Sequence, residues 1–267
     1  MSETETHERV FLYEDKNYFS NSAYSQSDLK TALESPWLMW VRKHNGLAPT
    51  KETPAMRSGT IDHMAILEPE RFRQTYKLLD KPRTTKEGKQ QAKEIADAGL
   101  TPITLSQQIE ADGMAQAIRE HPWASKILKD GHPEVSVYTK HHATGLNLKG
   151  KLDWFDGERI TDLKTVPVGG ASKANFAHQV AKYKYQLQAA HYLEISGASE
   201  FLFLVIEREF PFQIGVYELD EEALAHGQLL RNKALETVAF CQSANSWPGY
   251  TPSAPETISL PTYAFYQ

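Results

Sequence analysis

An α/β fold, a mixed β-sheet flanked by helices, is what the amino-acid sequence predicts, and three observations carry that prediction. Helix-period segments fill the first half of the chain, strand patterns appear between Glu134 and Val166, and helix, strand, strand and helix follow in that order. With 267 residues, 40% of them hydrophobic, the chain can bury the core of one large domain. Its single cysteine, Cys241, excludes an internal disulfide, so packing must hold the fold together.

Residues 1–24 read as a flexible or extended lead. Ser25-Gln26-Ser27-Asp28 has the pattern of a capping box, with Leu29, Ala32 and Leu33 at helical spacing behind it and a stop at Pro36. Trp37, Met39 and Trp40 are assigned to the core. A second helix is predicted from about Met56 to Leu67, ended by Pro69, and it carries Asp62 and His63. Residues 81–94, K-P-R-T-T-K-E-G-K-Q-Q-A-K-E, leave a loop and enter a helix whose charges read as a solvated face. A longer helical region spans about 105–130, interrupted near Pro122, so the helical part is set at 25–130 and the sheet core at 131–246.

In the core, E-V-S-V-Y from Glu134 alternates, and L-N-L-K-G-K-L-D-W-F and E-R-I-T-D-L-K-T-V form a hairpin around Asp156-Gly157, a turn signal because both residues tolerate positive φ. One helix is read over residues 173–196, with Phe176, Val180, Leu187 and Ile195 as its buried stripe, Gln188 and Tyr192 on one face and Gly197 as its C-terminal cap. F-L-F-L-V-I-E is a buried central strand, F-Q-I-G-V-Y-E-L its neighbour, and a helix from Asp220 to about Ser243 closes the domain. Residues 247–267, with four prolines, are an extended tail.

The hairpin raises a chemical question. With Phe155 opposite Glu158, Asp153 falls opposite Ile160 and diagonal to Asp162, and Lys164 lies two residues further along the same face. Leu148, Leu152, Trp154, Thr161 and Leu163 point the other way. Taken alone, the charged face is as well explained by exposed ion pairs, worth about 0–1 kcal/mol each, as by a site.

The net charge of −5 argues against wholesale coating of nucleic acid. One cysteine cannot ligate zinc or an iron–sulfur cluster, so a metal would have to use oxygen and imidazole ligands. No G-x-x-x-x-G-K-[ST] loop occurs, hence no ATP site is expected. Without an apolar run of 18 residues or a secretory signal, the chain is expected to be cytoplasmic, with no membrane contact.

G-K-L-D (Gly150 to Asp153), D-L-K (Asp162 to Lys164) and Q-A-A-H-Y (Gln188 to Tyr192) occur in the order of the G-x-x-D, D-x-K and Q-x-x-x-Y motifs, and so resemble the RecB-like nucleases of the PD-(D/E)xK superfamily. Upstream, G-T-I-D-H-M-A-I-L-E-P-E (Gly59 to Glu70) resembles the helix bearing the metal-ligand histidine in RecE-like exonucleases, the C-terminal nuclease domain of exodeoxyribonuclease VIII. R-T-T-K-E-G-K, E-V-S-V-Y and K-Y-K-Y-Q-L-Q-A-A-H-Y extend the likeness over most of residues 20–245.

This resemblance implies a PD-(D/E)xK nuclease-like fold and a Mg²⁺-dependent nuclease, with Mn²⁺ as a substitute. His63, Asp153, Asp162 and the Leu163 carbonyl would be metal ligands. Lys164 would orient or help deprotonate the attacking water, Glu134 would contact the metal's water shell, and Gln188 and Tyr192 would position the lysine or the phosphate. Arg83, Lys86 and Lys89 would bind the DNA backbone or a 5′-phosphate. The expected activity is 5′–3′ digestion of linear double-stranded DNA, leaving 3′ overhangs for a RecT-like annealing protein in phage or prophage recombination. A ring-shaped trimer or tetramer would supply processivity. A RecB-like nuclease on single-stranded or flap DNA, and a non-catalytic DNA-end binding protein, are the alternatives.

Overall fold

The structure, a computed structural model, describes residues 8–44, 53–251 and 253–265. A six-stranded sheet lies at its centre, in the order β1 (Val10–Leu12), β4 (His132–Lys140), β5 (Asn147–Phe155), β6 (Arg159–Val166), β7 (Glu200–Glu207), β8 (Ile214–Tyr217). The β6–β7 pair is parallel and every other pair in this sheet is antiparallel. A small parallel sheet pairs β2 (Tyr76–Leu78) with β3 (Thr101–Ile103). The mixed α/β architecture is as the sequence predicts.

Helices cover both faces. Before the sheet core come α1 (Gln26–Glu34), α2 (Pro36–His44), α3 (Pro54–Leu67), α4 (Pro69–Thr75), α5 (Lys86–Asp97), α6 (Leu105–Glu120) and α7 (Ala124–Ile127). Within it are α8 (Lys173–Tyr183), α9 (Tyr185–Ser196) and α10 (Glu221–Ala244). The capping box at Ser25 and Asp28 forms as read, each side chain accepting from the other's backbone N–H.

The apolar run of β7 shows how the layers separate. Phe201, Phe203 and Val205 enter the main core with Leu29 of α1, Leu187 and Ile195 of α9, and Leu235 and Val238 of α10. Leu202, Leu204 and Ile206 point into a second core with Leu67 of α3 and Met114 and Ile118 of α6. A strand covered on both faces has no polar side to alternate with, which is why this segment is continuously apolar.

Four readings are corrected. The hairpin pairs Phe155 with Ile160 and Trp154 with Thr161, so its loop is two residues longer than a two-residue turn. Asp156 closes that loop by accepting from the Arg159 N–H at 2.7 Å through its side chain. Leu148 and Leu152 lie in the main core and Trp154 in the second, so they do not share a face. The strand changes face at Asp153, opposite Glu134, whose φ of 55° takes that pair out of the β4–β5 ladder.

The helix read over 173–196 is also broken at Lys184, which has φ 51° and ψ 47°, so that α8 and α9 meet at a left-handed residue. Trp37 is 49% exposed, not in the core with Met39; it stacks on Trp40, and its N–H donates to the Pro248 carbonyl of the C-terminal segment. Among the described residues no helix is long and apolar enough to cross a membrane.

Candidate metal centre and active site

The ladder between β5 and β6 stops after two residue pairs, and the strands part beyond Trp154 and Thr161. Into this opening the sequence delivers its acids. The Leu163 N–H donates to Asp153 Oδ2 at 2.9 Å, so a side chain replaces the missing strand partner. Asp162, 1% exposed, accepts from Lys164 through one oxygen and from Gln188 through the other. Asp153, Asp162, Lys164 and Gln188 therefore meet at one opening.

His63 and Glu134 complete the constellation. His63 Nδ1 lies 3.7 Å from Asp153 Oδ2, and ligand atoms of His63, Glu134 and Asp153 all fall within 4.8 Å of one another. Asp62 fixes the helix that presents His63: its carboxylate lies 2.9 Å from Arg208 Nε, and Arg208 donates to Thr165 Oγ1 at 2.9 Å. Helix α3 is thereby tied to the ends of β6 and β7. On the other side, Lys151 holds Glu134 in an ion pair at 2.7 Å.

Helix α9 supplies the floor. Gly227 of α10 lets it approach, because a Cβ there would lie 2.1 Å from the Gln186 carbonyl oxygen. Gly150 plays a similar part on β5, where a Cβ would come within 3.0 Å of the Tyr192 ring. Tyr192 is packed in the main core, with the Lys151 backbone as the hydrogen-bond partner of its hydroxyl. Tyr185, which sequence reasoning missed, lies beneath the lysine, with Lys164 Nζ 4.8 Å from its ring centroid. Lys30 of α1 reaches the same ring at 5.3 Å. Neither has a motif of its own; Tyr185 was legible only as a neighbour of Gln188 one turn earlier.

The electrostatics follow from crowding. Burial and the Asp162 charge push the Asp153 carboxyl well above its ordinary range. Burial opposes the Lys164 ammonium, but the charges of Asp162 and Asp153 outweigh it and raise its pKa. Burial, reinforced by Lys164, pushes His63 down to about 4, so its imidazole is neutral at neutral pH, as a ligand must be. Burial and Lys164 together lower Lys30 to about 7.

The residues present fit a divalent cation. One neutral imidazole and converging carboxylate oxygens form a hard, oxygen-rich donor set suited to Mg²⁺ or Mn²⁺. Asp162 stands beside the His63–Glu134–Asp153 group with both oxygens engaged by protein donors. Arg83 precedes α5, and Lys86 and Lys89 lie in its first turn; all three are exposed, and α5 packs against β3. The structure does not bring them into the constellation.

Residues 25–256 match the family described as PDDEXK-like domain of unknown function (DUF3799). The chain belongs to this family. A DUF3799 chain is thus a PD-(D/E)xK superfamily member. Its fold resembles the “Putative exonuclease” of Eubacterium rectale, with a TM-score of 0.63 and 15% identity over 92% of this chain and 94% of that one. A phage related exonuclease from Haemophilus somnus 129PT aligns at a TM-score of 0.36 and 12% identity, over 84% of this DUF3799 chain and 96% of that one. No curated protein matches the sequence. Family and fold together support a nuclease.

Proposed function

We propose that this DUF3799 chain is a RecE-like, Mg²⁺-dependent exonuclease that digests linear double-stranded DNA from 5′ ends, leaving 3′ overhangs for single-strand annealing. The observation that carries the reading is the meeting of Asp153, Asp162 and Lys164 where β5 and β6 part, with His63 and Glu134 facing them. His63, Glu134 and Asp153 would hold the metal, with Asp162 beside them. Bound there, it would neutralise phosphate charge and lower the pKa of a water.

The protein's own groups have separable tasks. Lys164, kept charged by its two carboxylates, is a donor to a phosphoryl oxygen rather than a base, since an ammonium has no lone pair to accept a proton. Gln188 fixes the Asp162 rotamer and leaves the second carboxylate oxygen to the lysine. Tyr185 holds the ammonium over its ring. Contacts of this kind address the phosphate backbone and not base edges, so little sequence preference is expected. The RecE-like resemblance adds a RecT-like annealing partner and a ring of three or four subunits.

The test is digestion of a linear duplex labelled separately at its 5′ and 3′ ends, in Mg²⁺ or EDTA, with a covalently closed circle as control. Early Mg²⁺-dependent release of the 5′ label with the circle intact is expected. Asp162→Ala and Lys164→Ala should each lower that rate by at least about 10²–10³-fold. A cut circle, or digestion of single strands alone, would replace the 5′-end reading with a RecB-like nuclease of other substrates; wild-type rates in both variants would refute the site.

A further inference from the structure

Two cavities, of about 490 and 480 Å³, lie beside the metal cluster and share two wall residues, Phe19 and Lys151. The first contains His63 and Glu134. The second is polar, lined by Asn21, Ser25, Asp28, Arg42 and Lys43 among others, with Lys43 paired to Asp28 at 3.0 Å. Phe19 stands on the ridge between them and is 85% exposed.

The ridge is also held in place. Lys149 of β5, itself 5% exposed, donates to the Tyr18 carbonyl at 2.6 Å and to the Asn21 carbonyl at 2.8 Å, clamping both sides of Phe19. Tyr18 is buried and meets the Phe19 ring edge-on at 5.3 Å. Lys151 Nζ lies 5.8 Å from the Phe19 ring centroid while pairing with Glu134 of the metal cluster. A buried lysine thus fixes an exposed aromatic beside the Lys151–Glu134 ion pair.

We propose that Phe19 is a stacking post for a nucleobase next to the scissile phosphate, on a single-strand path running from the metal cluster over the ridge into the polar cavity. Every base has a π-face, so such a post accepts any sequence, in keeping with a site that reads backbone. Lys151 contributes a phosphate contact at the ridge. This inference rests on the nuclease reading above, and it adds a subsite for an unpaired strand.

The test measures Phe19→Ala, Phe19→Leu and Phe19→Trp against wild type. Affinity for a fluorescein-labelled single-stranded 12-mer is read by anisotropy in EDTA, and KM and kcat for digestion of the linear duplex in Mg²⁺; a thermal melt confirms the fold. Phe19→Ala and Phe19→Leu should weaken binding or raise KM by about tenfold with kcat nearly kept, and Phe19→Trp should restore wild-type values. Wild-type cleavage with all variants binding alike, or a loss in kcat alone, would overturn the stacking post and leave the nuclease standing. Weakened binding by Phe19→Ala and Phe19→Leu, with a wild-type protein that never cleaves, would keep the post and remove the nuclease. A wild-type protein that neither binds nor cleaves removes both.

Discussion

At the scale of single residues, Asp162 shows how this site is specified. Its carboxylate is buried, and each oxygen has one protein donor, Lys164 or Gln188. Replacing Gln188 by Met keeps length and apolar packing but strands one oxygen of a buried anion, so a loss of about 1–3 kcal/mol is expected in urea unfolding. Mg²⁺ should recover part of that loss if the cation reaches the freed oxygen. His191 gives a separate prediction. It is fully buried, donates its Nε2–H to the Lys149 carbonyl at 3.0 Å, and burial followed by the Arg231 charge pushes its pKa down to about 3. The fold refuses a proton that the unfolded chain accepts below about pH 6.5. Its contribution is therefore complete above that pH and shrinks by up to about 1.4 kcal/mol per pH unit as pH falls toward 3. His191→Gln, which keeps an amide at the carbonyl and does not titrate, should show a shallower loss of stability between pH 7 and 5; equal slopes would exclude this histidine as a source.

At the scale of elements, capping box, strand positions and the closing helix were legible because each rests on neighbours within a few residues. The parting of β5 and β6 was not. Asp156-Gly157 signals a tight turn, but a four-residue loop closed by the Asp156 side chain and the left-handed Glu134 of the neighbouring strand set the register, and the second lies outside the hairpin. Asp153 and Asp162 were still found together, since either register keeps them near the same opening. The break at Lys184 also escaped notice, because the apolar spacing runs on through it. Gly227 offers the sharpest test of how elements place the site: Gly227→Ala should push α9 from α10, costing about 1–3 kcal/mol in chemical denaturation. Cleavage should fall with it, because the displaced helix carries Tyr185 and Gln188.

At the scale of the whole molecule, the fold class was readable from the order of patterns, while the three-way convergence of α3, β4 and the β5–β6 opening was readable only through motif resemblance. Periodicity says which face of α3 is apolar; it does not say that Arg208, about 145 residues away in sequence, will anchor Asp62 and aim His63. The two ends of the described chain illustrate the same non-local order. Val10–Leu12 join the sheet beside β4, and Trp247 comes within 6.5 Å of the Trp40 ring while Trp37 stacks on Trp40 at 5.3 Å. That pile gathers three of the five tryptophans where the C-terminal segment crosses α2, so ultraviolet emission from this protein is weighted toward one corner. Its colour and intensity form a built-in optical gauge of whether that segment stays seated, readable without a label while DNA or a second subunit is added.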